Sequence, residues 1–226
     1  MAAHAIPQNY RDSSDYIHKV VLPLLEKLAR DKIIDAVDIF HEQGYFNHKD
    51  VEDLFQGARD HNINLKIHAD EFSNYGGAKL AAKWNALSAD HLLQTDAEGI
   101  ALLGQSSVVA TLLPGTGFFL GKSQANARKF LDQGAKVALA SDYNPGSCHC
   151  DNLLLISSLS APSYKLNLCE LWASITLNAS HALGKKNQGA LIAGLSPRFS
   201  IFNTPKLEDL TYHWGENFCI NADLIF

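Results

Sequence analysis

An apolar, alternating segment leads directly into three polar side chains in Leu65-Lys66-Ile67-His68-Ala69-Asp70-Glu71-Phe72. The first half has the pattern of a buried strand. The second half places a histidine and two carboxylates within four residues. The active site of a parallel α/β barrel lies at the C-terminal ends of its strands, so we expect this polar end to carry chemistry. A histidine there can bind a metal, and a carboxylate three residues further on can reach the same pocket. For the segment alone, the alternative is a strand that ends in a solvated polar loop.

Composition narrows the class of protein. The chain has 226 residues, of which 46% are hydrophobic and 19% charged, and a net charge of -5. This balance is typical of a globular protein with one sizeable core. There is no basic tract, no apolar run long enough to span a bilayer and no signal-peptide pattern, so we expect neither nucleic acid nor a membrane as a partner. The four cysteines are too sparse for a disulfide framework, which favours a cytoplasmic location.

Strand-like and helix-like patterns alternate along most of the chain. Apolar runs predict six strands, and apolar residues at helical spacing predict the helices between them. This order is typical of a parallel sheet covered by helices, and the near-continuous apolar character of the runs agrees with strands buried on both faces. The predicted strands lie near His4, Ile39, Ile67, Leu87, Val109 and Leu139, and the predicted helices span 15–30, 48–62, 78–84, 96–104, 123–133, 153–159 and 169–183.

The tail has a different pattern. From about Gly189 the chain contains short β-like pieces separated by turns, at 190–192, 199–202 and 219–226. We therefore predict two parts, a partial α/β barrel over 1–188 and a C-terminal β segment of a small domain over 189–226.

Polar residues end most of the predicted strands. Such tips converge on one end of a barrel, where a metal held by histidine and aspartate would activate water. Each residue alone also has an ordinary explanation, since a histidine near a strand end is commonly solvated and Asp142-Tyr143-Asn144-Pro145-Gly146 is rich in turn formers. The polar tips are His4, His41-Glu42, His68 with Asp70 and Glu71, Asp90-His91, and Asp142 with Asn144.

Several segments together resemble the imidazolonepropionases, hydrolases of the metal-dependent amidohydrolase superfamily that act in histidine degradation. The resemblance runs nearly end to end, and the segments around His68 and Asp142 point to this family rather than to the superfamily in general. The segments that carry it are 3–7, 37–40, 68–73 with Gly76-Gly77, 87–91, 112–115, 140–147 and 177–184.

The resemblance implies a reaction and a set of roles. The reaction would be hydrolysis of 4-imidazolone-5-propanoate to N-formimidoyl-L-glutamate by water activated on one zinc or iron ion. The fold would be an incomplete (β/α)8 barrel, about its last six βα units, and association as a homodimer would be compatible with it. The implied metal ligands are His68 and Asp142, the catalytic residues Glu71, His91 and Asp142, and the substrate-binding residues His4, Glu71, Asn144, Gly146 and Ser147.

One departure from the family leaves alternatives open. The superfamily's first strand carries a His-x-His pair that supplies two metal ligands, and this sequence has no such pair. A full barrel takes roughly 250 residues, so we expect this chain to represent the C-terminal part of such a protein. The alternatives are a truncated, non-catalytic fragment or pseudoenzyme, and a hydrolase or deaminase acting on another cyclic amidine.

Overall fold

The computed structural model describes residues 2–196 and 198–220. Five strands form one parallel sheet in which each strand pairs with the next one along the chain. This α/β arrangement is the one that the alternating patterns predict. The strands are β1 (Ala36–His41), β2 (Asn64–Ala69), β3 (Ser88–His91), β4 (Val109–Leu112) and β5 (Lys136–Leu139).

Successive rows of side chains point to opposite faces of the sheet. One row is buried and apolar throughout and faces the covering helices, so it fixes the register of the strands. The next row towards the C-terminal ends is on the other face and contains His68 of the candidate site. The apolar row is Ile39, Ile67, Ala89, Ala110 and Val137, and the row with His68 is Phe40, His68, Asp90, Thr111 and Ala138.

Helices follow the strands, and several begin at side-chain caps. Asn47 and Asn167 form capping boxes with Asp50 and Glu170, and Asp96 accepts a hydrogen bond from the Gly99 amide, as expected for an N-cap. None of the helices among the described residues is long and apolar enough to cross a membrane. The helices are α1 (Ser13–Tyr16), α2 (Leu22–Arg30), α3 (His48–Asp60), α4 (Gly77–Trp84), α5 (Ala97–Gly104), α6 (Pro114–Phe119), α7 (Ala127–Asp132), α8 (Leu153–Tyr164), α9 (Leu168–Ile175), α10 (Leu177–Ala182) and α11 (Asp209–Tyr212).

The structure corrects the first predicted strand. The segment Ala2–His4 is a 3-10 helix, so the sheet has five strands where six were expected. Ala3 has φ -93° and ψ 38°, outside the extended region, and the carbonyl of Ala2 accepts a hydrogen bond from the Tyr16 hydroxyl instead of joining a ladder. The apolar composition of this segment indicates burial but does not distinguish a strand from a short helix.

Several predicted helix boundaries also differ. The helix predicted over 153–159 extends to Tyr164 as α8, and the one predicted over 169–183 is divided into α9 and α10. Pro114-Gly115 is a pair that predicts a turn after β4, but it begins α6, because proline is tolerated in the first turn of a helix. The helix expected over 123–133 is shorter, as α7. The helix expected over 15–30 is continuous through a π-helical segment at Ile17–Val21, and Pro23 lies at the start of α2.

The tail has little β structure in its described part, 189–196 and 198–220. Phe202 and Cys219 form an isolated antiparallel bridge, and α11 lies between them. Most of the predicted piece at 219–226 is outside the described residues. The division of the chain at residue 188 stays a prediction.

Candidate metal and active site

Three potential metal ligands meet at the C-terminal ends of the strands. His68 lies near the end of β2, His91 ends β3, and Asp142 follows β5. One ligand atom from each, a ring nitrogen or a carboxylate oxygen, lies within 4.8 Å of the other two. His91 is buried and His68 and Asp142 are half-buried. The structure thus brings together the two predicted ligands, His68 and Asp142, with the predicted catalytic histidine.

Asp38 orients His68. Its carboxylate on β1 lies 2.9 Å from His68 Nδ1, leaving Nε2 as the nitrogen that can bind a metal. A carboxylate behind a ligating histidine is a common arrangement in metal sites, because it fixes the ring and its tautomer. Burial opposes protonation of His68, but the hydrogen bond to Asp38 and the nearby carboxylate charges outweigh it and raise the pKa of His68 to about 9. A metal ion would therefore compete with a proton for this ring.

His4 completes the surroundings of Asp38. Its Nε2 is 3.4 Å from the same carboxylate, and its ring meets the His68 ring edge-on at 4.6 Å between centroids. The predicted substrate-binding residue therefore lies beside a predicted metal ligand, although it reaches there from a 3-10 helix rather than from a strand. His4, Asp38 and His68 also form a second group whose ligand atoms lie within 4.8 Å of one another.

Glu71 and His91 form a buried pair with opposite pKa shifts. Their side chains approach to 3.6 Å between Glu71 Oε2 and His91 Nε2. Burial, assisted by the negative charge of Asp142, raises the pKa of Glu71 to about 7. Burial and the positive charge of His68 lower the pKa of His91 to about 3. At neutral pH Glu71 can therefore carry a proton, whereas His91 is neutral.

Asp142 is held by a hydroxyl and by a turn. Thr116 at the start of α6 donates a hydrogen bond of 2.7 Å to its carboxylate. Ser147 Oγ lies 3.4 Å from the same oxygen. The Asn144 side chain closes the turn, because its amide donates to the Asp142 carbonyl and its oxygen accepts from the Gly146 and Ser147 amides. The predicted substrate-binding residues of this segment thus form the loop that carries Asp142, and their contact with substrate stays a prediction.

Asp70, which follows β2, has a structural role rather than a place among the metal ligands. It is fully buried, and its carboxylate accepts from the Gly77 amide at 2.9 Å, the Ala78 amide at 3.2 Å and the Thr95 hydroxyl at 2.9 Å. It therefore anchors the start of α4 and belongs to neither group of clustered ligand atoms. Backbone strain also concentrates here, since Asp70, His91 and Asp142 all have positive φ.

The donor set suits a transition metal. Two imidazoles and a carboxylate are ligands that zinc and iron accept. His91 Nδ1 is buried and has no hydrogen-bond partner in the described part of the chain. A His-x-His pair is missing from the sequence, so these residues supply only part of the superfamily's ligand set.

Comparison with known proteins shows which curated sequences this chain is similar to. The chain is 42% identical over 219 residues to the imidazolonepropionase of Bacillus velezensis, which covers 96% of this chain and 52% of that protein. The chain corresponds to the C-terminal portion of the imidazolonepropionases. The imidazolonepropionase of Phocaeicola vulgatus is 40% identical over the same share of the chain. The chain spans about half the length of the curated imidazolonepropionases that it matches, and no family model matches it.

Solved structures confirm the fold of this imidazolonepropionase-like chain. An adenosine deaminase from Xanthomonas campestris with bound zinc superimposes with a TM-score of 0.75 at 16% identity, over 96% of this chain and 57% of that one. An atrazine chlorohydrolase from Arthrobacter aurescens, complexed with zinc and atraton, gives a TM-score of 0.71 at 16% identity, over 90% of this chain and 53% of that one. The five-stranded parallel sheet is thus an incomplete (β/α)8 barrel, as the resemblance implies.

Two residues near the site carried no role in the sequence analysis. Asp38 lies three residues before the last residue of β1, and its contact with His68 depends on the register that aligns Phe40 with His68. The alternation of β1 could have placed Asp38 on the polar face. Thr116 follows a Pro-Gly pair that predicts a turn, and nothing in the sequence indicates that its hydroxyl donates to Asp142.

Proposed function

We propose that this chain carries catalytic residues for the hydrolysis of 4-imidazolone-5-propanoate to N-formimidoyl-L-glutamate, a reaction of histidine degradation. The observation that carries the proposal is the meeting of His68, His91 and Asp142 within 4.8 Å, beside Glu71, in a chain 42% identical to an imidazolonepropionase. The proposal concerns hydrolysis of a cyclic amide C–N bond.

The proposed cofactor is one zinc or iron ion, held by His68 and Asp142 with His91 in ligand range. The donor set and the unpartnered His91 Nδ1 support this fit. Such an ion would supply Lewis-acid activation of water, which matters because a cyclic amide is a poor electrophile. Both solved structures named above contain zinc and share the fold of this chain. Zinc is therefore the first metal to test.

The proposed proton transfers use Asp142 and Glu71. Asp142 accepts the proton of the attacking water, with its orientation fixed by the Thr116 hydroxyl. Glu71 donates a proton to the ring nitrogen that leaves when the C–N bond breaks, a role supported by its pKa of about 7. His91 is neutral at this pH and is suited to hydrogen bonding with the ring rather than to donation as an imidazolium.

The proposed substrate contacts surround this centre. His4 lies next to His68 on one side, and the turn of Asn144, Gly146 and Ser147 lies next to Asp142 on the other. A ring bound between them would have its scissile bond near both Glu71 and Asp142, which is what the reaction requires.

Two other functions each have an observation in their favour. The lack of a His-x-His pair favours a non-catalytic protein. The likeness in fold to an adenosine deaminase makes deamination of another cyclic amidine the second candidate reaction.

Product analysis distinguishes these functions. The zinc-loaded chain is incubated with 4-imidazolone-5-propanoate, and N-formimidoyl-L-glutamate is measured by chromatography, while ammonia release is measured with cytosine and guanine. We expect ring opening above the spontaneous rate, lost in His68→Ala and kept in His61→Ala, an exposed histidine after α3. Ammonia release without ring opening would overturn the proposal in favour of a deaminase, and no turnover of any compound would favour the non-catalytic alternative.

A further inference from the structure

Lys122 presents a cation next to the proposed proton donor. Its Nζ lies 4.4 Å from the centroid of the Phe72 ring, and Phe72 directly follows Glu71. The charge of Lys122 also acts on Glu71, where it opposes the rise in pKa that burial causes. In the described part of the chain, no carboxylate forms an ion pair with Lys122, so its charge is available to a ligand.

An aromatic rim connects Lys122 to the far side of the site. Phe72, which is 46% exposed, meets Phe40 at 6.0 Å between centroids, and Phe40 lies 6.4 Å from the ring of His4. The rim, defined as His4, Phe40 and Phe72, is therefore aromatic along its length and ends in a positive charge. A flat heterocycle that bears an acidic side chain has complementary chemistry.

We propose that Lys122 determines specificity by binding the carboxylate of the substrate's propanoate side chain. This inference rests on the proposed function and adds a carboxylate-recognition residue to it. An exposed cation–π contact is weak, so the ammonium can leave the Phe72 ring for a carboxylate, with which it forms a charge-assisted hydrogen bond. Lys122 thereby selects ring compounds with an acidic tail over neutral ones of the same shape.

The test compares two stable ring ligands that differ only in charge. Calorimetry measures Kd of the zinc-loaded chain for imidazole-4-propanoate and for imidazole-4-propanamide. We expect the acid to bind about fivefold more tightly than the amide, the upper range for a partly exposed ion pair. Lys122→Met should abolish this preference and leave Kd for the amide unchanged. Lys122→Arg should retain the preference, and so should Lys129→Met, which removes an exposed lysine of α7.

The outcomes separate this inference from the proposed function. Binding of both ligands with no preference for the acid, or a preference that survives in Lys122→Met, would overturn the role of Lys122 and leave the proposed ring site standing. A chain that binds neither ligand would contradict the proposed function, and the role of Lys122 with it. A preference of the wild type that falls as salt is added would support the ion pair.

Discussion

Replacement of Asp70 by asparagine should destabilise the fold strongly, although it only exchanges one carboxylate oxygen for an NH2 group. One carboxylate oxygen accepts from the Gly77 amide, and the other accepts from the Ala78 amide and the Thr95 hydroxyl. The two amides are at the start of α4, where the helix has unsatisfied N–H groups and a partial positive charge. The carboxylate therefore satisfies buried donors and interacts favourably with the helix.

The expected size follows from the bonds that asparagine can keep. Its single oxygen can replace one carboxylate oxygen, so either one or two of the three bonds are lost, and its NH2 group faces a donor. A hydrogen bond to a charged group contributes about 1.5–3 kcal/mol. The expected loss of unfolding free energy for Asp70→Asn is therefore about 2–4 kcal/mol. The positive φ of Asp70 does not confound the comparison, because asparagine tolerates this conformation.

Urea unfolding followed by far-UV circular dichroism measures this loss. The matched control is Asp151→Asn, which changes an exposed aspartate and should alter stability by less than about 0.5 kcal/mol. An Asp70→Asn protein within 0.5 kcal/mol of the wild type would refute the argument that this carboxylate anchors α4.

Three further substitutions test the site itself. Asp38→Asn should weaken zinc binding about 10- to 100-fold in an equilibrium titration, because Asp38 orients His68, and an unchanged Kd would exclude that role. Thr116→Val should weaken zinc binding about tenfold by freeing the Asp142 carboxylate, and wild-type affinity would show that the hydroxyl is dispensable. Glu71→Gln should lower the rate of ring opening about 10²- to 10⁴-fold with zinc content unchanged, and a rate near that of the wild type would remove Glu71 as the proton donor.

The sheet could be predicted because every strand contains buried apolar residues. Ile39, Ile67 and Val137 lie in apolar runs whose length and composition distinguish them from the amphipathic helices between them. The segment near His4 was predicted wrongly, because three or four apolar residues carry no period. α6 was missed because a Pro-Gly pair is common in turns and also at helix starts.

The candidate site could be predicted in part. His68, His91 and Asp142 lie near, at or just after the C-terminal ends of their strands. These ends meet in a parallel sheet, so the proximity of the three residues follows from topology. The contact of Asp38 with His68 depends on the register of β1 against β2, which the sequence does not display directly. The position of Asp70 beside Glu71 suggests a site residue. Its structural role is evident only from the hydrogen bonds that its carboxylate accepts at the start of α4.

The most direct test of this account is an equilibrium zinc titration of the 226-residue chain with ring-opening activity followed on the same sample. The account predicts one zinc per chain, loss of that zinc in His68→Ala, and formation of N-formimidoyl-L-glutamate only by the zinc-bound protein. A folded chain that binds no zinc and opens no ring would contradict it.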